Sequence, residues 1–137
     1  MGININLSIP KKYRQIDSVF NAALKFAQES GSQISFVDDP IESVKNADAI
    51  FTDTFVSVGL ESEREKRLSD FIPKYQINQN LINNSKNDVI FLHCLPAHRG
   101  EEVTNEIIDG PHSRVWNEAE NRLHVQKALL CHFLLNN

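Results

Sequence analysis

Short apolar segments alternate with stretches of helical periodicity along this chain, and this alternation constrains its fold more than any other feature. Five segments predict β-strands, at residues 3–9, 34–37, 48–52, 88–92 and 113–116. Strands that are separated by helices pair in parallel, and the helices cover the sheet. The sequence therefore predicts an α/β fold with an open parallel sheet, Rossmann-like, of about five strands and with helices on both faces.

Helix signals fill the segments between these strands. Helices are predicted at residues 16–27, 40–44, 61–71, 77–82, 104–108 and 117–134. Gly31 suits a left-handed C-terminal cap, and Asp39 suits an N-cap that is followed by a first-turn proline. Asn117 with Glu120 resembles a capping box, which predicts that the last helix begins there.

Length and composition indicate one globular domain over residues 1–137. The chain is 41% hydrophobic and 23% charged, which is ordinary for a folded protein. Its formal charge of −4 and the lack of a basic block argue against binding to nucleic acid. No apolar stretch approaches the roughly 18 residues that a membrane span needs, so no membrane association is expected.

The two cysteines bear on the compartment and on metals. Cys94 and Cys131 match neither a zinc spacing nor a disulfide framework, which favours a reducing, cytoplasmic location. His93 and His98 could hold a metal, but no third ligand lies at a recognisable spacing. No metal site is therefore expected.

Ligands bind an open parallel sheet at the carboxyl ends of its strands. This rule selects residues 52–59, 93–100 and 117–122, which follow the third, fourth and fifth predicted strands. These three segments are expected to share one edge of the sheet.

Each of these segments carries one residue with two interpretations. Asp53 could hold an ammonium group or could merely form a turn. Cys94 follows a histidine, as a nucleophile might, yet an inert buried thiol is the commoner case. Arg122 lies at the unfavourable end of a helix dipole unless it has an anionic partner, which could be a ligand or else Glu118 or Glu120.

Taken together, three strings resemble the ornithine carbamoyltransferases. The strings are Thr52-Asp53 with Ser57 and Gly59, then HCLPAHRGEEV at residues 93–103, then AENRLH at residues 119–124. Asp109-Gly110-Pro111, Trp116 and residues 126–129 continue the likeness, which extends from about Gly2 into the last helix. The resemblance implies transfer of a carbamoyl group from carbamoyl phosphate to the side-chain amine of ornithine, giving citrulline and phosphate. It implies a homo-oligomer and neither a metal nor an organic cofactor.

The resemblance also implies roles for individual residues. The implied substrate-binding residues are Asp53, Ser57, Val58, Cys94, Leu95 and Arg122. Asp53 and Ser57 would hold the amino-acid end of ornithine, with a backbone amide of the Ser57–Val58 loop at its carboxylate. Cys94 would lie beside the reacting amine, and the Leu95 carbonyl and Arg122 would face the carbamoyl group. Cys94 and Arg122 are thus the implied catalytic residues, with Arg122 stabilising charge on the carbamoyl oxygen.

Several family features are missing from the sequence. Val58 stands where the family usually has Met, a mild change because the implied contact is through the backbone. Neither a Ser-Thr-Arg-Thr motif nor a His-Pro-x-Gln segment occurs, so the carbamoyl-phosphate-binding domain is expected to be absent. The family's ornithine-binding domain also opens with a strand and a helix that this chain lacks.

These gaps predict an incomplete and inactive piece of the enzyme. The missing strand would leave apolar sheet surface uncovered, and self-association is one way to cover it. Two alternatives to the enzyme fragment stay open: a non-catalytic homologue that acts as an interaction or structural fragment, and part of a carbamoyltransferase for another amine such as putrescine.

Overall fold

The computed structural model describes residues 2–14 and 18–135. The strands are β1 (Ile5–Leu7), β2 (Ile34–Phe36), β3 (Ala49–Thr52) and β4 (Ile90–His93). The helices are α1 (Ser18–Ser30), α2 (Pro40–Val44), α3 (Arg64–Phe71), α4 (Gln79–Asn83), α5 (Asn105–Ile108) and α6 (Val115–Leu135). Two short 3-10 turns, Lys11–Tyr13 and Glu61–Glu63, complete the regular structure.

The strands pair in parallel, which confirms the α/β class. β1 pairs with β2, and β3 pairs with β4, so that Thr52 lies opposite His93 at the carboxyl end of the second pair. The described residues therefore contain two pairs of strands, where the sequence predicted one sheet of about five. Residues of both β1 and β3 line one groove of about 660 Å³.

The predicted fifth strand at residues 113–116 is wrong, and so is the predicted start of the last helix. Ser113 makes only a single parallel bridge to Phe91, whose N–H donates to the His112 carbonyl at 2.8 Å. Helix α6 begins at Val115, immediately after this bridge, so no residues remain to extend a strand. Asn117 consequently lies inside the first turn of α6 instead of capping it.

Local signals located two other helix ends, the start of α2 and the end of α1. The Asp39 Oδ1 atom accepts from the Ile41 N–H at 3.0 Å as the predicted N-cap of α2. Gly31 follows α1 with a φ of 71°, the left-handed conformation that glycine adopts without steric cost. Ile16, which was expected in the first helix, lies outside the described residues.

The core surrounds the β3–β4 pair. Phe91 in β4 and Val115 at the start of α6 are both completely buried. The core residues are Val44, Ile50, Ile77, Leu81, Ile82, Val89, Phe91, Val103, Ile107, Ile108 and Val115. This packing fixes β4 and the start of α6 relative to each other. The loops that follow β3 and β4 therefore begin from a well-packed, rigid part of the core.

Apolar surface remains uncovered away from this core. Ile3 and Phe51, which line the groove, are 60% and 57% exposed, and α6 buries only Val115. None of the helices in residues 2–14 and 18–135 is both long and apolar enough to cross a lipid bilayer.

Candidate active site

Asp53 and Cys94 meet at the carboxyl ends of two paired strands. They directly follow Thr52 and His93, which are partners in the parallel register of β3 and β4. The Cys94 thiol donates a hydrogen bond to the Asp53 Oδ1 atom, with a sulfur to oxygen distance of 3.3 Å. The structure thus brings together two of the residues that the sequence singled out.

Asp53 also shapes its own loop. Its Oδ1 atom accepts from the Thr54 N–H at 2.7 Å, which is the turn-forming role weighed from the sequence. Asp53 is nevertheless an exposed residue, so a ligand can reach it. Asp53 therefore combines the structural role with accessibility.

His93 supports the loop after β4 from inside the protein. Its Nδ1 atom accepts from the Leu95 N–H at 2.9 Å, so in the neutral ring Nε2 carries the proton. Nε2 then donates to the Glu102 Oε1 atom at 3.1 Å, and both side chains are 0% exposed. Since both ring nitrogens are engaged elsewhere, His93 is a positioning residue and not a base for Cys94. Sequence reasoning missed Glu102 because its partner lies nine positions away.

Leu95 has an unusual backbone conformation in this loop. Its φ of 52° lies in the left-handed region, which costs a residue with a branched side chain on the order of 1–3 kcal/mol. The peptide bond from Leu95 to Pro96 is cis. The hydrogen bond from the Leu95 N–H to His93 holds this conformation and so orients the Leu95 carbonyl.

Arg122 lies further along α6 than the sequence indicated. Because α6 begins at Val115, Arg122 is beyond the first turn. Neither anticipated partner holds it: Glu118 accepts from the His93 N–H at 3.0 Å, and Glu120 lies 3.9 Å from His124. Within the part of the chain that the structure describes, no ion pair or hydrogen bond engages Arg122. Its guanidinium is therefore free to meet an anionic or polar ligand.

Arg122 and Cys94 share one shallow depression. Its volume is about 650 Å³, and it is lined by Cys94, Leu95, Pro96, Ala119, Arg122, Leu123 and Gln126. Cys94 thus contacts Asp53 on one side and borders the same depression as Arg122 on the other.

Ser57 and Val58 are placed differently from the other predicted site residues. Both are exposed, Val58 to 99%, and neither lines the depression or the groove. The Ser57 carbonyl accepts from the Leu60 N–H at 3.0 Å, which makes this loop a turn. The structure does not bring these two residues to the Cys94 thiol.

The surroundings of Cys94 favour the protonated thiol. Burial raises its pKa, and the hydrogen bond to Asp53 and the charge of that carboxylate raise the pKa further. A raised pKa reduces the thiolate fraction at neutral pH, so the group suits hydrogen bonding better than nucleophilic attack.

Asp53→Asn is expected to make Cys94 more reactive. The change removes a negative charge beside the thiol, so the pKa of Cys94 should fall and the alkylation rate at pH 8 should rise about 3- to 10-fold. Iodoacetamide kinetics in a Cys131→Ser background would measure this rate. Asp88→Asn, at another exposed position, is the matched control and should change nothing. An equal or slower rate in Asp53→Asn would contradict the assignment.

Comparison with known proteins identifies the family. The model for the aspartate/ornithine carbamoyltransferase Asp/Orn-binding domain matches residues 1–133. The chain is 55% identical over 130 residues to an ornithine carbamoyltransferase of Bacillus subtilis, covering 95% of this chain and 40% of that protein. The corresponding protein of Caldicellulosiruptor saccharolyticus is 52% identical, with coverage of 95% and 42%.

Solved structures agree with this match. The anabolic ornithine carbamoyltransferase of Campylobacter jejuni superposes with a TM-score of 0.90 at 41% identity, covering 98% of this chain and 44% of that one. The Pyrococcus furiosus ornithine carbamoyltransferase gives a TM-score of 0.86 at 46% identity, with coverage of 93% and 41%. The chain spans about 40% of the length of the curated relatives it matches. It belongs to the aspartate/ornithine carbamoyltransferase family and corresponds to the Asp/Orn-binding domain of that family.

Proposed function

We propose that this chain forms the ornithine-binding domain of an ornithine carbamoyltransferase. The intact enzyme would transfer the carbamoyl group of carbamoyl phosphate to the side-chain amine of ornithine. The observation that carries the proposal is the arrangement of Cys94, which is hydrogen-bonded to Asp53 and borders the same depression as Arg122. The names of the most similar relatives support ornithine as the acceptor.

The acceptor would lie along the edge formed by the ends of β3 and β4. Asp53 would bind the α-ammonium group of ornithine through a charge-assisted hydrogen bond, and Ser57 would assist it. A backbone amide at Val58 would bind the carboxylate. The exposed position of Ser57 and Val58 leaves this loop accessible to the amino-acid end of the substrate.

The chemistry would proceed by direct attack of the neutral amine on the carbamoyl carbon. The ammonium form of the side chain first loses a proton to give the neutral amine. The new carbon–nitrogen bond then forms and the bond between the carbamoyl carbon and the phosphate oxygen breaks, while the attacking nitrogen gives its second proton to the departing phosphate. Arg122 would stabilise the negative charge that develops on the carbamoyl oxygen, and the Leu95 carbonyl would accept from the carbamoyl amide. The raised pKa of Cys94 supports a hydrogen-bonding role beside the amine instead of covalent catalysis.

The isolated chain is expected to make no citrulline. The sequence carries no recognisable motif for binding the phosphate donor. A protein that has no binding pocket for carbamoyl phosphate cannot orient it against the amine, so it cannot accelerate the reaction by positioning. A colorimetric citrulline assay on protein free of host enzyme would test this. The positive control is a graft, in which this chain replaces the matched 130 residues of the Bacillus subtilis relative. Turnover by the isolated chain above the uncatalysed background would contradict the proposal.

We also propose that the isolated chain self-associates through the groove that β1 and β3 line. Ile3 and Phe51 expose apolar surface there, and strands with an unpaired edge invite pairing with another chain. We propose separately that the intact enzyme is a homo-oligomer, and that proposal rests on the family and not on this groove.

Charged side chains in this groove should weaken that association. Ile3→Lys combined with Phe51→Lys is expected to shift the chain toward the monomer, since lysines at strand edges oppose pairing. Sedimentation velocity over a range of protein concentrations would measure the shift. Val58→Lys is the matched control because Val58 is 99% exposed and lies outside the groove. Two results would rule out the groove as an interface. One is an unsubstituted chain that is already monomeric, and the other is equal association of the unsubstituted chain and both variants.

A cytoplasmic location completes the proposal. Cys94 and Cys131 are both free thiols, which persist in a reducing compartment. The net charge of −4 and the absence of a basic block agree with small-molecule substrates and give no support to a nucleic-acid partner.

A further inference from the structure

The loop that follows β4 gathers three possible metal ligands away from the Cys94 depression. His98, Glu101 and Glu102 each offer one ligand atom, and these atoms lie within 4.8 Å of one another. No third ligand lies at a recognisable spacing from His93 and His98 in the sequence. The folded loop supplies two carboxylates beside His98, while the ring of His93 is occupied by Glu102 and Leu95.

Glu102 carries the strongest indication of a missing positive partner. Its side chain is 0% exposed, and its Oε1 atom accepts from His93 Nε2 and from the His98 N–H, the latter at 2.5 Å. Its Oε2 atom is buried, has no hydrogen-bond partner among residues 2–14 and 18–135, and lies 3.9 Å from His98 Nδ1. A buried carboxylate oxygen without a donor is costly, so some group is needed to satisfy it.

Glu101 presents a second oxygen of the same kind. Arg64 forms an ion pair with its Oε1 atom, whereas its Oε2 atom is buried and has no hydrogen-bond partner in the described part of the chain. Arg64 offsets only one of the two carboxylate charges, which leaves the cluster with excess negative charge. Each carboxylate therefore carries one unsatisfied oxygen, and one ligand atom from each of the three side chains lies within 4.8 Å of the others beside the half-exposed His98.

We propose that His98, Glu101 and Glu102 form a binding site for a divalent transition-metal ion. One imidazole nitrogen and two carboxylate oxygens are a donor set that suits Zn²⁺ or Mn²⁺, whereas Mg²⁺ and Ca²⁺ prefer oxygen alone. Metal–ligand distances of about 2.0–2.2 Å require ligand atoms roughly 3–4.4 Å apart, which small side-chain rotations would achieve. Water would complete the coordination from the exposed side of His98.

The bound ion would also act on the loop that holds Cys94 and Leu95. Glu102 is hydrogen-bonded to His93, and His93 is hydrogen-bonded to the Leu95 N–H. An ion bound to Glu102 would therefore be connected to the Leu95 backbone through these two hydrogen bonds. An ion that binds only the folded chain raises its stability, and the size of the effect depends on concentration relative to Kd.

Mn²⁺ binding to the purified chain tests the proposal. Mn²⁺ is the chosen probe because thiols bind it poorly, so Cys94 and Cys131 do not compete. Electron paramagnetic resonance of free Mn²⁺ should show one saturable site per chain. His98→Ala and Glu101→Gln should each weaken binding at least about tenfold, a loss typical of removing a metal-site group. Both variants leave the buried contact between His93 and Glu102 in place.

His124→Ala is the matched control for this test. His124 is another exposed histidine, and it too lies 3.9 Å from a glutamate, Glu120. Binding should be unchanged in this variant, and nitrogen hyperfine coupling to Mn²⁺ should disappear only in His98→Ala. Absence of saturable binding, or equal affinity in all variants with unchanged circular dichroism, would overturn the site and leave Glu102 satisfied by a proton or a water molecule.

Discussion

Replacing Arg122 by alanine in the graft is expected to lower kcat for citrulline synthesis by about 10²- to 10³-fold, the usual cost of removing one such donor. The guanidinium has no protein partner in the described residues and borders the depression beside Cys94, so its charge is available to the reacting carbamoyl oxygen. Because that charge develops in the transition state, the loss should appear in kcat as well as in KM. Steady-state kinetics with both substrates varied would measure it.

Cys94→Ser in the same graft provides the contrast. Serine keeps a small polar group that can still donate to Asp53, so we expect weaker ornithine binding with the reaction still detectable. Arg122→Ala should therefore change kcat most, whereas Cys94→Ser should mainly raise the KM for ornithine. Abolished activity in Cys94→Ser together with near-normal turnover in Arg122→Ala would reverse these roles and favour a covalent mechanism.

His93→Ala is expected to lower the free energy of unfolding by about 2–5 kcal/mol, since a buried carboxylate loses its hydrogen-bond donor and the smaller side chain leaves a cavity. The change leaves the fully buried Glu102 carboxylate without its imidazole donor and also removes the acceptor for the Leu95 N–H. Urea denaturation of the isolated chain in the presence of a chelator would measure the loss.

His98→Ala is the control for that measurement. This histidine is much more exposed and approaches Glu102 only at 3.9 Å, so its loss should cost less than about 1 kcal/mol without metal. Equal destabilisation by the two variants would show that the buried contact between His93 and Glu102 does not dominate the stability of the loop.

The parts of the fold that the sequence predicted correctly depend on local signals. Strands β3 and β4 are short apolar runs between helices, and parallel pairing places their carboxyl ends side by side. That rule alone predicted that Asp53 and Cys94 would lie at one edge, where the structure finds them in contact.

The features that the sequence did not reveal depend on distant contacts. Residues 113–116 end in the apolar pair Val115-Trp116, but Phe91 makes only one bridge to this segment, at Ser113, before α6 begins at Val115. In the sequence Glu102 resembles an ordinary surface glutamate. Only the folded loop buries it and brings its carboxylate into a hydrogen bond with His93. The family resemblance placed Ser57 and Val58 at the amino-acid end of ornithine, and both residues are exposed in the described loop.

Acceptor preference of the graft tests the central claim most directly, since this chain would supply the acceptor site and the Bacillus subtilis part the donor site. We expect product from ornithine and carbamoyl phosphate, with little or none from aspartate, putrescine or N-acetylornithine at equal concentration. Chromatography of radiolabelled carbamoyl products would distinguish the four acceptors. A folded graft that carbamoylates another amine in preference to ornithine, or that carbamoylates none of them while the unaltered relative is active, would contradict the proposal.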